Sequence, residues 1–350
     1  MSATPIAIYG ATGHTGRLVA TELLARGHPV ILGGRDAGGL ISLATELGEP
    51  DQVRTCLAAL DEPAALRKFT AAAPVLIHCA GPYSRTGTPL VTAAIETGTH
   101  YIDHAVEVHH VKHLFEAYAA TAELAGVLVC PGLSFYGGFG DLLAAAVTEG
   151  LPTVEKVTVG YAVSGWRMTT AARNTAEQLI NEVERVTFSN GAQQVGPLPI
   201  YQAEFGFPAP LGRQPMIGPF PTGDAVTIPR HVPTREVEVL LTASTFAEPQ
   251  VFTSERVDAS ERAKSEFTVA VEVTTSSGTK TASLTGQDIW WAGVVASVEA
   301  AVGLVDAGAT IAGGAAVDGR VTKTGVLSPA ETVPAGPFLR RLEELGAIQW

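Results

Sequence analysis

Gly10, Gly13 and Gly16 fall at a spacing that lets backbone wrap an anion, within the run Gly10-Ala11-Thr12-Gly13-His14-Thr15-Gly16. An apolar run, Ile6 to Tyr9, precedes them, and helical spacing follows from Arg17 to Arg26. In that strand–loop–helix context the first glycine permits a tight turn and the second lets the chain approach a pyrophosphate. The third lets the helix pack against the strand. The helix then offers free N–H groups and the positive end of its dipole. Thr12, His14 and Thr15 complete the expected contacts, the threonines as hydroxyl donors.

The second apolar run ends Leu32-Gly33-Gly34-Arg35-Asp36. Arg35 is placed to pair a ribose 2′-phosphate and to stack on adenine, which favours NADP(H). Asp36 pulls the other way, since a carboxylate here can accept from a ribose hydroxyl. Asp61 closes the third run, where it can take the adenine amine or cap the helix that starts at Glu62. The fourth run ends Cys79-Ala80-Gly81-Pro82-Tyr83-Ser84. Small residues and a fixed turn at the carboxyl end of a parallel strand suit close approach of a flat ring. Cys79, Ala80, Gly81, Pro82 and Tyr83 are therefore read as the nicotinamide-ribose wall.

Three side chains are candidate proton donors: Tyr83 in that turn, His104 after the strand His100 to Asp103, and Tyr136 beyond the strand Val127 to Cys130. His104 reads more readily as a structural histidine than as a donor. For a substrate, Phe135 and Trp166 can wall a pocket, and Arg167 and Arg173 can clamp a carboxylate. Ordinary packing and surface placement compete with each of these roles. His109 and His113 share a helix face, but no zinc-protease glutamate accompanies them and Lys112 intervenes, so no metal is expected. None of the seven tyrosines has lysine four residues later, which removes the short-chain dehydrogenase mechanism.

The elements that must position these residues follow from periodicity. Up to Cys130, apolar strands alternate with helices: Arg17–Arg26, Leu40–Leu47, Glu62–Thr70, Thr88–Thr97 and Val108–Leu124. Continuous apolar strands between helices predict a parallel sheet covered on both faces, an α/β domain over residues 1–131. Beyond Pro131 the texture changes. A helix from Asp141, alternating strands at Val154–Val163, Glu236–Thr245, Glu266–Thr274 and Thr279–Thr285, and a helix over Thr169–Val186 predict an inserted α+β domain over 132–287. Its sheet is expected to be mostly antiparallel. Residues 189–235 carry no period and are too long for a structureless loop, so short strands or a lid are expected there. Residues 288–350 are expected to form C-terminal helices that return to the first domain.

Composition bounds the rest. The chain is 46% hydrophobic and 17% charged, enough apolar material for a large core in each of two domains. Its net charge of −12 speaks against non-specific nucleic-acid binding. Cys56, Cys79 and Cys130 form no CxxC pair and sit in apolar stretches, as reduced cytoplasmic thiols do. A short polar lead runs straight into the first strand, with no secretory signal. The apolar segment Ile289–Val317 is interrupted by Glu299 and Asp306, which predicts a buried helix rather than a membrane span.

Several of these runs together resemble the saccharopine dehydrogenase-like oxidoreductases. They are Gly10-Ala-Thr-Gly-His-Thr-Gly, Gly34-Arg35, Cys79-Ala-Gly-Pro-Tyr-Ser, Gly98-Thr-His-Tyr-Ile-Asp103, Pro131-Gly132 with Gly140-Asp141-Leu142, and Thr324-Gly-Val-Leu-Ser-Pro-Ala-Glu331. The resemblance implies an NADP-type Rossmann domain with an inserted mixed sheet. That group includes saccharopine reductases and trans-acting enoyl reductases, so the substrate does not transfer with the fold. The expected activity is hydride transfer from NADPH to a C=N or activated C=C bond. Arg167 and Arg173 tilt the choice toward an imine or amino-acid-like substrate, with a carrier-bound enoyl chain as the alternative. A non-catalytic NADP(H)-binding sensor is the reading from another class. A homodimer through the second domain is also expected.

Overall fold

The computed structural model describes residues 3–48, 51–151, 153–253, 258–308 and 323–350. The far end of the apolar segment, residues 309–317, lies outside them. The chain divides into two units. One comprises Met1–Ala105, His113–Leu133 and Gly293–Leu327; the other comprises Val106–Lys112, Ser134–Ala292 and Ser328–Trp350.

The first unit alternates β1 (Ile6–Tyr9), α1 (His14–Ala25), β2 (Val30–Gly34), α2 (Ala37–Leu47), β3 (Val53–Leu57), α3 (Pro63–Thr70), β4 (Val75–His78), α4 (Tyr83–Thr97), β5 (His100–Asp103), α5 (Val108–Leu124) and β6 (Leu128–Cys130). A last short strand, β15 (Gly325–Val326), joins from far along the chain. The sheet order is β15-β6-β5-β4-β1-β2-β3, with every pairing parallel. Strands β1, β2, β4, β5 and β6 are buried at every residue, as strands covered on both faces must be. One buried cluster holds Tyr9, Phe69, Leu76, Tyr101, Val129 and Val326. The Tyr9 hydroxyl donates to the Ala58 carbonyl at 3.0 Å, so the phenol enters this core with its polar atom satisfied.

Helices α1, α2, α4 and the later helix at Gly138–Thr148 begin three or more residues earlier than their apolar spacing suggests, and of α2 and α4 only α2 has a side-chain cap. Asp36 caps α2 by accepting from the Gly39 amide at 3.1 Å. Pro82 starts α4 at Tyr83 instead of Thr88, and the Thr86 hydroxyl donates back to the Ala80 carbonyl.

The second unit contains α6 (Gly138–Thr148), β7 (Lys156–Ser164), α7 (Thr170–Asn181), β8 (Arg185–Ser189), β9 (Ala192–Gly196), β10 (Tyr201–Gly206), β11 (Arg213–Gly218), α8 (Asp224–His231), β12 (Glu236–Thr242), the one-turn α9 (Ala259–Arg262), β13 (Glu266–Thr275) and β14 (Gly278–Gln287). Helix α10 (Ile289–Asp306) follows, then α11 (Pro329–Thr332) and α12 (Ala335–Glu344). The sheet order is β10-β11-β12-β7-β13-β14, with β8 on β12 and β9 on β8. It is mixed: β12 and β7 run parallel, and the other pairs are antiparallel.

Two expectations change here, and the short strands expected within 189–235 are present. The helix expected to Val186 stops at Asn181: Glu182 turns extended and the β-branched run Val186-Thr187 goes into β8. The aperiodic stretch 189–235 is mostly ordered, as β9, β10, β11 and α8. The final segment does not return to the first unit as a whole. Gly293–Leu327 belongs there, but Ser328–Trp350 belongs to the second unit. Ser328 and Glu331 form a capping box that starts α11, and the Ala330 amide donates to Asp141 Oδ2 at 2.8 Å. Helix α12 then packs on α6 through its buried Phe338, Leu339 and Leu342. Among the described helices, α10 alone is long and apolar enough to cross a membrane, and 61% of it is buried inside the protein, as in a core helix.

Candidate active site

Strand order reverses at β1, with β2 and β3 on one side and β4, β5 and β6 on the other. The crevice beyond the carboxyl ends of β1 and β4 is the switch point where open parallel sheets bind ligands. Gly10 leaves β1 at φ +76°, a conformation that side chains resist, and its amide donates to the Gly33 carbonyl at 3.0 Å. A Cβ at Gly10 would stand 2.7 Å from the Ala80 Cβ, so the loops after β1 and β4 touch at this position. A Cβ at Gly16 would overlap the Gly10 carbonyl oxygen, which confirms its role in packing helix against strand. Gly13 is the N-cap of α1 and supplies no side-chain cap, and α1 has no acidic residue in its first turn. The first-turn amides and the dipole thus face the crevice without a competing carboxylate.

Arg35 is exposed at the end of β2. Asp36 turns its carboxylate to the α2 cap, which weakens its claim on a ribose hydroxyl. Asp61 is exposed and does not cap α3, whose N-cap is Glu62; of its two expected roles, only the adenine one is left. Cys79, Ala80, Gly81 and Pro82 are half-buried around the switch point, with the Cys79 amide donating to the Tyr9 carbonyl at 2.8 Å. Burial, helped by the charge of Asp103, pushes the Cys79 thiol up, so it stays protonated.

Residues 6–130 match the family described as the saccharopine dehydrogenase NADP-binding domain. Over this segment the chain is similar to that family. The NADP-binding domain therefore takes NADP(H), and the loop geometry fits it: Gly10 and Gly16 with no room for side chains, a helix N-terminus and an exposed Arg35 for the 2′-phosphate. Whole-chain likeness extends to the saccharopine dehydrogenase (L-Glu forming) of Saccharomyces cerevisiae. It covers 99% of this chain and 98% of that one, with TM-score 0.65 and 13% identity, which establishes a shared fold. Over 132 residues the chain is 33% identical to a trans-acting enoyl reductase of Mycobacterium tuberculosis, and over 131 residues 32% identical to one of Mycobacterium ulcerans. These alignments cover 36% of this chain, and the chain spans only 31% of each relative.

Two of the three proton-donor candidates have other partners. The Tyr83 hydroxyl is turned inward and donates to the His78 carbonyl at 3.1 Å. His104 Nε2 lies 2.8 Å from the Ser297 hydroxyl, which itself donates to the Val294 carbonyl, so His104 ties the end of β5 to α10. Burial lowers His104 to about 4 despite the opposing charge of Asp103, which leaves the ring neutral at pH 7. Tyr136 differs. Its hydroxyl is buried and makes no hydrogen bond among the described residues. Its ring sits edge-on to Phe135, Tyr161 and Phe220, with centroids 4.7, 5.2 and 5.2 Å away. Burial pushes its pKa up, so the phenol keeps its proton.

The substrate candidates separate. Phe135 is buried in that aromatic cluster. Trp166 is buried with its indole N–H donating to the Thr245 carbonyl at 3.0 Å. Arg167 pairs with Glu261 at 3.4 Å, and Arg173 with Glu177 at 3.7 Å. The expected arginine clamp is therefore not assembled: each guanidinium has its own glutamate. His109 meets the Glu184 carbonyl at 3.0 Å, and His113 stacks edge-on with Tyr118. No group of three metal-ligating side chains occurs among the described residues.

Sequence reasoning missed a buried relay in the first unit. Tyr101 donates to Asp103 Oδ2 at 2.9 Å and so accepts from His78 Nδ1, 2.8 Å away. Asp103 Oδ1 takes the Ala105 and Gly132 amides at 3.0 and 2.7 Å. The network pins the ends of β4, β5 and β6. One signal was available: His78 is the lone polar residue of β4, and the parallel register sets it opposite Asp103.

Proposed function

We propose that this chain is an NADPH-dependent reductase that saturates an activated C=C bond in an apolar acyl substrate, with the Tyr136 hydroxyl as a hydrogen-bond donor to that substrate. The observation that carries the reading is the Tyr136 hydroxyl. It is buried among aromatic rings, protonated, and without a hydrogen-bond partner among the described residues. A buried hydroxyl left unsatisfied costs about 1–3 kcal/mol, so its retention suits a group reserved for a ligand. The aromatic surroundings suit an apolar chain better than an amino acid. Arg167 and Arg173, which would favour a carboxylate, are already paired. The names of the enoyl-reductase relatives point the same way.

Bound NADPH supplies the hydride, held by the Gly10–Gly16 loop and Arg35. Hydride addition to the β-carbon of an α,β-unsaturated thioester breaks the π bond and places the electron pair on the α-carbon and carbonyl oxygen. A proton delivered to the α-carbon neutralises that charge and completes the saturation. A positioned acid contributes roughly 10²–10⁴-fold.

The test is loss of nicotinamide absorbance when the purified protein meets NADPH and a long-chain α,β-unsaturated acyl thioester, run beside an α-keto acid with an amine. Turnover of the thioester, with Tyr136→Phe lowering kcat by about 10²-fold or more at unchanged NADPH affinity, is the expected result. Turnover of the keto acid and amine alone would replace the C=C reading with the C=N one. Tight NADPH binding with neither reaction would favour a sensor.

A further inference from the structure

We propose that Tyr161, braced by Asp224 and Thr222, is the positioning residue that fixes the direction of the Tyr136 hydroxyl; this rests on the reading of Tyr136 as a hydrogen-bond donor to the substrate. Tyr161 projects from β7 into the buried interior of the second unit and is fully buried. Its oxygen accepts from the Gly137 amide at 3.0 Å and from the Gly140 amide. Its hydroxyl hydrogen goes to the carboxylate of Asp224, whose two oxygens both lie 3.1 Å away. The Thr222 hydroxyl donates to the same carboxylate. Two N–H bonds accepted and one O–H donated use the full capacity of a phenol.

The placement of those bonds is what matters for Tyr136. The Gly137 amide belongs to the peptide plane that leaves Tyr136, and Gly137 itself holds φ +85°. Tyr161 thus fixes the plane next to Tyr136 through its oxygen and touches the Tyr136 ring, centroid to centroid 5.2 Å, through its own. Gly140 has no room for a Cβ against Asp224 Oδ1 and Tyr161 Oη, so the first turn of α6 is drawn down onto the pair. Since the Tyr136 hydroxyl has no hydrogen bond of its own among the described residues, its direction is set by its ring packing and by this backbone anchor. A fully bonded Tyr161 beneath an unbonded Tyr136 is the arrangement of a support and a working group.

The experiment uses the full chain carrying fluorotyrosine, with the Tyr136 resonance assigned by its loss in Tyr136→Phe. Tyr161→Phe keeps the ring packing and removes the anchor; Thr222→Val loosens Asp224 and provides a milder probe should Tyr161→Phe fold poorly. Both should shift or broaden the Tyr136 fluorine line. Tyr161→Phe should also lower kcat by roughly tenfold to a hundredfold with KM little changed. In the Tyr136→Phe background it should cost less than about twofold more, since it acts through the missing hydroxyl. An unmoved Tyr136 line in both variants, or kinetic losses that multiply, would overturn the proposal. A line that moves in an enzyme where Tyr136→Phe costs no activity keeps the positioning contact and retires the donor role of Tyr136.

Discussion

Replacing Asp224 by asparagine should stabilise the protein more and more as pH rises. Burial, with the charge of Asp141 nearby, raises Asp224 from 3.8 to about 7 even though Thr222 and Tyr161 hydrogen-bond to it. The folded state therefore prefers the protonated acid. The stability this group contributes is fully present below pH 4 and is lost between pH 4 and 7, because the unfolded chain releases the proton first. Three units correspond to about 4 kcal/mol, of which about 2.3 kcal/mol falls between pH 5 and 7. Asparagine keeps a carbonyl acceptor for Tyr161 and never ionises. Urea unfolding of both proteins at pH 5, 6, 7 and 8 should show the stability difference, variant minus wild type, rising by about 2–3 kcal/mol from pH 5 to 8. A difference that stays flat over that range, or that falls, would show that Asp224 titrates normally and that the buried cluster carries a full charge at pH 5.

Three further outcomes test the first unit. Arg35→Ala should raise the NADPH dissociation constant by roughly 10–100-fold and the NADH constant by much less, as measured by calorimetric titration; equal losses would remove Arg35 from the 2′-phosphate. Gly10→Ala puts a Cβ 2.7 Å from Ala80 Cβ at φ +76° and should abolish NADPH fluorescence enhancement at concentrations that saturate the wild type, with retention of binding refuting the close-approach reading. His104→Gln should lower the melting temperature by losing the Ser297 contact, yet leave kcat within about threefold. A hundredfold loss would restore His104 as an acid.

The first unit was legible in the sequence because its signals are local. Gly10, Gly13 and Gly16 sit in one turn between one strand and one helix, and an apolar strand covered on both faces announces itself without help from distant residues. Asp36 shows the limit of that legibility. A carboxylate after β2 reads as a ribose ligand, but three residues on it finds the Gly39 amide, and capping competes for the same oxygen. In the second unit one local signal was there to be read: Asn190-Gly191, both at positive φ, makes the tight turn that sets Ser189 opposite Ala192 and starts the β8–β9 hairpin. The Tyr161–Asp224 pair had no such signal. Its partners lie on a strand and a helix far apart in sequence, and only the fold brings the phenol, the carboxylate and the Gly137 amide together. Arg167 and Arg173 failed as a clamp for a related reason: a spacing shows where a guanidinium begins, not which glutamate it reaches.

Strand β15 gives the chain an order of events during synthesis. Its Gly325 amide and that of Leu327 donate to the carbonyls of Val127 and Val129, at 2.8 and 2.9 Å, and Val326 enters the buried cluster with Val129. The sheet of the first unit is therefore unfinished until the ribosome has made Ser134–Ala292, the bulk of the second unit. At roughly 5–20 residues per second, that wait lasts on the order of tens of seconds. During it, β6 is an open edge, able to pair with a foreign strand. A message truncated before Gly325 would yield a protein with every glycine of the phosphate loop in place and an unsealed sheet beneath it.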